Sequence, residues 1–216
     1  MTATEPIACP KCGNSGGERW GAIPILCESC SLLPDPPQES PIFQNWKRQV
    51  PAEYQTGTLP NTSPAVAALK WTPEQSRGLA VYGVPGIGKS TAVAILTKSL
   101  GLRLSWVNGM RLREVATEMS MGDHTDDRAA AIGQWRWWER VPLLVIDDID
   151  KARFTEAYTT RLFGLLETRR NNLRPIIWTG NLGPGALCRQ IADGCGNVPL
   201  AQSVERRLFQ NFTIVS

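Results

Sequence analysis

The run from Leu79 to Thr91, LAVYGVPGIGKST, joins an apolar stretch to a glycine-rich turn that ends in Lys-Ser-Thr. Gly83, Gly88, Lys89 and Ser90 meet the spacing G-x-x-x-x-G-K-[ST], with Val84, Pro85, Gly86 and Ile87 completing the loop and Thr91 following it. Glycine at such positions lets the backbone wrap closely round an anion, so that successive N–H groups point at phosphate oxygens. Lys89 reaches the outer phosphates as a point charge, and the Ser90 hydroxyl suits the Mg²⁺ that bridges them. The helix expected to start here adds the positive end of its dipole. The chemistry on offer is the binding of a nucleoside triphosphate with magnesium.

A second constellation lies downstream in Leu143–Asp148, LLVIDD. Four apolar residues read as a buried strand, and two carboxylates stand at its C-terminal end, where an α/β sheet presents ligands. Asp147 is a candidate Mg²⁺ residue, and Asp148 is placed to orient or deprotonate an attacking water. Asn181 follows the run PIIWT at 175–179. There it can hydrogen-bond the water or the outermost phosphate, or simply cap the next helix.

Cys9, Cys12, Cys27 and Cys30 form two C-x-x-C pairs separated by fourteen residues. Four thiolates at that spacing close a tetrahedral Zn²⁺ shell with no open position for catalysis. The apolar residues around them are too few for a core, so zinc would stabilise this N-terminal ribbon. The alternative is four unliganded thiols. Such a ribbon suits contact with single-stranded DNA, with a protein partner, or with neither. A second pair of cysteines, Cys188 and Cys195, lacks C-x-x-C spacing and reads as ordinary small residues.

The 216 residues are enough for one sizeable domain and a small appendage, and a net charge of +3 confines any nucleic-acid site to a local patch. No basic segment with an apolar run marks a signal peptide, and no run approaches a membrane span. These features point to a cytoplasmic protein with reduced cysteines and no membrane partner. His124, the one histidine, sits beside acids in a polar stretch, which leaves no histidine-based acid–base pair.

The elements that must position these residues follow in order. Residues 1–34 are the ribbon. Residues 35–64, rich in proline, read as an extended linker and the lead-in to the domain, with Trp46 as a partner contact or a docking residue. Residues 65–216 are the main domain. A short apolar helix is expected over 66–71 and a helix start at Thr72-Pro73-Glu74. Strands are expected near Leu79, Leu102, Leu143, Pro175 and Phe212, alternating with helices in right-handed parallel crossovers. Trp135, Trp137 and Trp138 lie among Arg111, Arg113, Arg136 and Arg140, which read equally as a DNA-contacting insertion or as core tryptophans beside solvated arginines. Arg169, Arg170 and Arg174 crowd one helix end, where they suit the helix dipole or a phosphate backbone.

GVPGIGKST at 83–91, LLVIDDID at 143–150, LFGLLETRRNNLRPIIWTGNL at 162–182 and ERRLF at 205–209 together resemble the AAA+ ATPases. Within them the chain is most similar to DnaC-type replicative helicase loaders and IstB-type transposition ATPases, from about residue 49 onward. The resemblance implies a P-loop NTPase α/β three-layer sandwich with a five-stranded parallel sheet. It implies Lys89 and Ser90 as phosphate and magnesium residues, Asp147 and Asp148 as the Walker B pair, and Asn181 as the sensor. Arg207, or the adjacent Arg206, would be an arginine finger acting on ATP in a neighbouring subunit of an ATP-dependent homo-oligomer. It also implies binding to single-stranded DNA and to a hexameric replicative helicase, in a bacterial cell or a phage-infected host. Two departures stand out. Asp148 occupies a position where many AAA+ proteins carry Glu, which suggests slow hydrolysis, and the chain stops after its last strand, leaving no helical lid. The competing readings are an IstB-like transposition ATPase that prefers duplex DNA and a nucleotide-gated adaptor with negligible turnover.

Overall fold

The computed structural model describes residues 40–60, 62–74, 77–121 and 125–216, and the backbone of four short N-terminal strands. Of those four, β1 (Ile7–Ala8) pairs antiparallel with β2 (Ser15–Gly17), and β3 (Arg19–Trp20) with β4 (Ile23–Pro24). The four zinc-candidate residues Cys9, Cys12, Cys27 and Cys30 lie outside the described residues, as does His124.

The centre of the molecule is a five-stranded parallel sheet of β5 (Gly78–Tyr82), β6 (Leu104–Asn108), β7 (Leu143–Asp147), β8 (Ile176–Gly180) and β9 (Phe212–Val215). Its order is β6-β7-β8-β5-β9. The period-two alternation of a strand sends successive side chains to opposite faces, and each face has its own core. Leu144, Ile146, Ile176 and Trp178 enter one; Leu79, Val81, Leu143, Val145 and Ile177 enter the other. The central strands β7, β8 and β5 are covered on both faces and read as near-continuous apolar runs.

On the second face lies α3 (Lys89–Leu100), which ends at left-handed Gly101. The first face carries α4 (Gly109–Met121), α5 (Thr125–Arg140), α6 (Glu156–Asn171), α7 (Ala186–Cys195) and α8 (Val198–Phe209). Thr155 caps α6 by accepting from Tyr158 N–H, and Asn197 caps α8 by accepting from Leu200 N–H. Val204–Leu208, which reads as a short helical stretch, is the C-terminal part of this twelve-residue last helix. Among the described residues, no helix is long and apolar enough to cross a membrane.

The segment expected to be an extended linker is partly helical and packed. Residues Pro41–Gln49 form α1 and Ala52–Gln55 form α2. Proline suits the first turn of a helix, where no N–H is needed, so Pro41 behind the Ser40 cap starts α1 rather than preventing it. Trp46 is buried and its Nε1 donates to Ala94 O and Thr97 Oγ1 at 3.2 and 3.3 Å. Asn45 and Gln49, one turn apart, accept the N–H groups of Leu104 and Trp106 at 2.8 and 3.3 Å. Those N–H groups belong to the edge strand β6, so two side-chain carbonyls substitute for a missing strand and blunt the edge. The apolar stretch before β5 forms a 3₁₀ helix, Pro64–Lys70, while Pro73 and Glu74 form a turn rather than a helix start.

Trp135 and Trp138 are buried against α6 and the sheet, with Arg136 and Arg140 exposed on the other side of α5. Trp137 is half-buried beneath the Arg103 guanidinium, 4.7 Å from its centroid. The tryptophans therefore serve packing and are not a stacking platform for bases. Arg111 is held by Glu114 and Glu118 at 3.2 and 2.8 Å.

Candidate active site

The glycine-rich loop leaves β5 at Tyr82 and enters α3 at Lys89. Gly86 and Gly88 adopt φ of 87° and 85°, a region costly for other residues. Leu59 packs where a side chain on Gly88 would stand, and Ser63 Oγ donates to Ile87 O at 2.5 Å. The chain before β5 thus straps down the loop, a feature invisible to motif reading. Val84 at the tip is 68% exposed.

Lys89 is buried, and its Nζ donates to Gly83 O, Val84 O and Asn181 Oδ1 at 2.9, 3.0 and 3.0 Å. An ammonium only donates, so the Asn181 oxygen must face it, and the Asn181 Nδ2 is left to donate elsewhere. Burial pushes the Lys89 amine below its ordinary value, against the opposing fields of Asp148, Asp150 and Asp147. A lysine so placed has fixed acceptors that a phosphate can replace.

Asp147 closes β7. Its Oδ1 accepts from Ser90 Oγ at 2.7 Å and from Thr179 Oγ1 at 2.6 Å, and Thr179 in turn accepts the N–H of Asp148 at 2.9 Å. Burial raises the Asp147 carboxyl above its ordinary value despite these hydroxyl donors. The Trp106 indole also faces it, with Nε1 buried but short of a hydrogen bond. A buried carboxylate beside a hydroxyl, with no ion-pair partner among the described residues, fits a hard divalent ion such as Mg²⁺. Asp148 sits at φ 50°, a left-handed conformation rare outside glycine. This turns the chain into the 3₁₀ segment Ile149–Lys151 and carries Asp150 back toward β8.

A cavity of about 370 Å³ lies over the loop, lined by Gly86, Lys89, Ser90, Asp148, Lys151 and Asn181 among others. A second, of about 530 Å³, opens beyond Asp147 and Asp148 toward Trp106, Asn108 and Arg111. Tyr54 and Lys151 line both. Tyr54 faces Ser90 and Asp147, and burial followed by the Asp147 charge raises its phenol. Neither Tyr54 nor Lys151 carries a spacing signal that sequence reading can use.

The sequence pattern of the ATPase family associated with various cellular activities (AAA) matches residues 79–192. The chain belongs to this AAA family. No curated protein matches it in sequence. Among solved structures, its fold is similar to that of the DnaC helicase loader, at 19% identity and TM-score 0.54 over 80% of this chain and 99% of that one. DnaI matches at 17% identity and TM-score 0.58, over 76% of this chain and 93% of its own. The replication initiator DnaA bound to AMPPCP and single-stranded DNA matches at 15% identity and TM-score 0.55, over 77% of this chain but only 51% of DnaA.

The AAA domain thus brings Gly83–Thr91, Asp147, Asp148 and Asn181 to the C-terminal edge of the sheet. Arg207 stands elsewhere. It lines a small recess with Arg77, Arg170, Arg174 and Arg206 beside Ile176 and Phe212, the first residues of β8 and β9. That is the N-terminal edge, roughly 15 Å away at the rise of a five-residue strand. Arg207 Nε is bound to Glu167 Oε1 at 2.6 Å, and its guanidinium lies 4.8 Å from the Phe163 ring centroid. The Arg207 contact holds the Glu167 carboxyl below its ordinary value. Arg206 is exposed, and its side chain makes no ion pair among the described residues.

Proposed function

We infer that the protein is a Mg²⁺-dependent ATPase that binds single-stranded DNA and a hexameric replicative helicase, and couples nucleotide state to helicase loading or release. The observation that carries this reading is the fold correspondence with DnaC and DnaI over 99% and 93% of those chains. The loop amides and Lys89 bind the phosphates, with Lys89 exchanging its three present acceptors for phosphate oxygens. Ser90 and Asp147 would hold Mg²⁺, which would supply positive charge against the phosphate oxygens. Asp148 orients the attacking water, and the Asn181 Nδ2 donates to the outermost phosphate. Exposed Arg136 and Arg140 supply phosphate-backbone contacts without base stacking. Cys9, Cys12, Cys27 and Cys30 hold zinc in an N-terminal ribbon. What supports that site is the C-x-x-C spacing together with the β1–β2 pairing on either side of the first pair in sequence.

The direct test is co-purification with the host replicative helicase, with and without Mg²⁺-ATP, and with metal analysis of the same material. A nucleotide-responsive complex containing zinc is expected; no complex in either condition refutes helicase loading. Preference for duplex DNA would favour the transposition ATPase instead.

The trans-acting arginine of an ATP-dependent homo-oligomer is assigned to Arg206. Its support is exposure and lack of an intrachain pair, whereas Arg207 is committed to Glu167 and Phe163. From the N-terminal edge neither can reach the ATP of its own subunit. Arg206→Ala is expected to lower turnover roughly a thousandfold with nucleotide affinity little changed. Arg207→Ala is expected to act mainly on stability, by about 1 kcal/mol. Mixing Arg206→Ala with Lys89→Ala protein should restore part of the turnover, because each supplies what the other lacks. Failure of that mixture to recover activity refutes action across subunits.

A further inference from the structure

The turn after Asp147 carries a carboxylate that phosphate and metal binding do not use. Asp150 is 7% exposed. Its Oδ2 accepts the backbone N–H of Asn181 at 2.8 Å, and its carbonyl accepts Gln190 Nε2 at 2.7 Å. Its Oδ1 is buried without a hydrogen-bond partner. A Cβ on Gly180 would stand 3.3 Å from that oxygen, so a side chain at the tip of β8 would crowd the carboxylate.

The sheet itself does not hold Asn181 on this side. Pairing between β7 and β8 ends at Ile146 and Trp178. On the other side, β5 pairs with β8 up to Tyr82 and Gly180. The Asn181 amide therefore lies beyond the last ladder bond of β7, and the Asp150 carboxylate takes the place of the missing strand acceptor. A buried carboxylate is costly, and an apolar residue in the turn would avoid that cost. The cost is offset by the charge-assisted bond to the amide and by nearby Lys89, which itself donates to the Asn181 side chain. The left-handed conformation of Asp148 aims Asp150 at this spot. A continuous path runs from Asp147 at the end of β7 and Asp148 just beyond it, through Asp150, to the Asn181 backbone and side chain.

We propose that Asp150 is a positioning residue for ATP hydrolysis: by accepting the Asn181 amide it fixes where the Asn181 side chain stands against the outermost phosphate. The proposal rests on the ATPase reading of the same site. It concerns the hydrolytic step and not nucleotide affinity, because the loop amides and Lys89 hold the phosphates without it.

The experiment compares Asp150→Ala, Asp150→Asn, Asn181→Ala and the double variant Asp150→Ala/Asn181→Ala. Each is measured for kcat and for affinity toward a fluorescent ATP analogue, and the two variants that keep Asn181 are also measured for exchange of its amide proton by NMR. Asp150→Ala should lower kcat by roughly 10- to 100-fold, the scale of an ångström-level misplacement, with affinity changed less than about threefold. Its Asn181 amide should exchange fast. Asp150→Asn keeps an oxygen that can accept the same N–H and should retain most of the rate and the slow exchange. The double variant should be no slower than Asn181→Ala alone, because both changes act through one side chain. Wild-type turnover in Asp150→Ala, equal loss in Asp150→Asn, or multiplying losses in the double variant overturns the proposal alone. Absence of ATP hydrolysis by the wild-type protein overturns it together with the ATPase reading.

Discussion

Lys89→Ala protein is expected to lose measurable ATP turnover and to bind the nucleotide roughly 10- to 100-fold more weakly, about 1.4–2.7 kcal/mol in all, because the bonds to phosphate replace three that the amine already makes. The expectation follows from how the amine is held. It is buried, yet it is satisfied by two loop carbonyls and the Asn181 oxygen, all in fixed positions at 2.9–3.0 Å. An incoming phosphate finds a pre-oriented charge that need not be desolvated again. Alanine removes that charge and leaves three acceptors facing the place where phosphate oxygens must bind. Arginine will not rescue the site, since a planar fork cannot replace a point donor among three converging oxygens. The measurement is phosphate release in the presence of single-stranded DNA, alongside nucleotide binding. Equal release by Lys89→Ala and wild type means that turnover does not occur at this site, and the nucleotide-gated adaptor becomes the better reading.

The second large effect is on stability. Arg169→Ala is expected to destabilise the fold by about 3–5 kcal/mol, the range for exposing several buried polar groups at once. Arg169 is fully buried and donates to Trp138 O, Val141 O, Pro142 O and Pro175 O at 2.6, 2.9, 3.4 and 2.7 Å. Burial pushes its guanidinium down to about 9, so it remains charged at neutral pH. Its counter-charge is the negative end of α5, whose last carbonyls it caps, together with the carbonyl that precedes β8. Removing it orphans those carbonyls and opens a cavity between α5, α6 and the sheet. The control is its neighbour Arg170, whose side chain is 45% exposed and pairs loosely with Glu167 at 3.7 Å. Arg170→Ala should move stability by no more than about 0.5 kcal/mol. Urea unfolding of the two variants decides the matter, and a small shift for Arg169→Ala would show that the carbonyls find other partners.

These two arginines illustrate what one-dimensional reading misses. In sequence both suit the dipole of their own helix or a phosphate backbone, because they share its last turn. Yet consecutive residues on a helix point about 100° apart, so one faces the core and one faces water. The helix end that Arg169 caps belongs to α5, a partner fixed only by packing. The same limit explains the linker. Its prolines suggested an extended chain, but burial of Trp46 and the acceptors Asn45 and Gln49 make α1 part of the domain.

By itself, the sequence determined the phosphate loop, the acidic strand end and the five alternating strands. These signals are local: they depend on spacing along the chain and on strands buried on both faces, and neither requires knowledge of what lies opposite. Only the tertiary structure decided which arginine is exposed and which is tied to Glu167, that Trp135 and Trp138 are core, and that Tyr54 and Lys151 line the cavities. It alone showed that Asp150 reaches Asn181 across thirty-one positions. Those facts depend on direction across the sheet and on contacts between distant segments. The loop from Gly83 to Thr91 announces a nucleotide site, but the Asn181 oxygen, the Thr179 hydroxyl and the Asp150 carboxylate that organise it become neighbours only when the strands lie side by side.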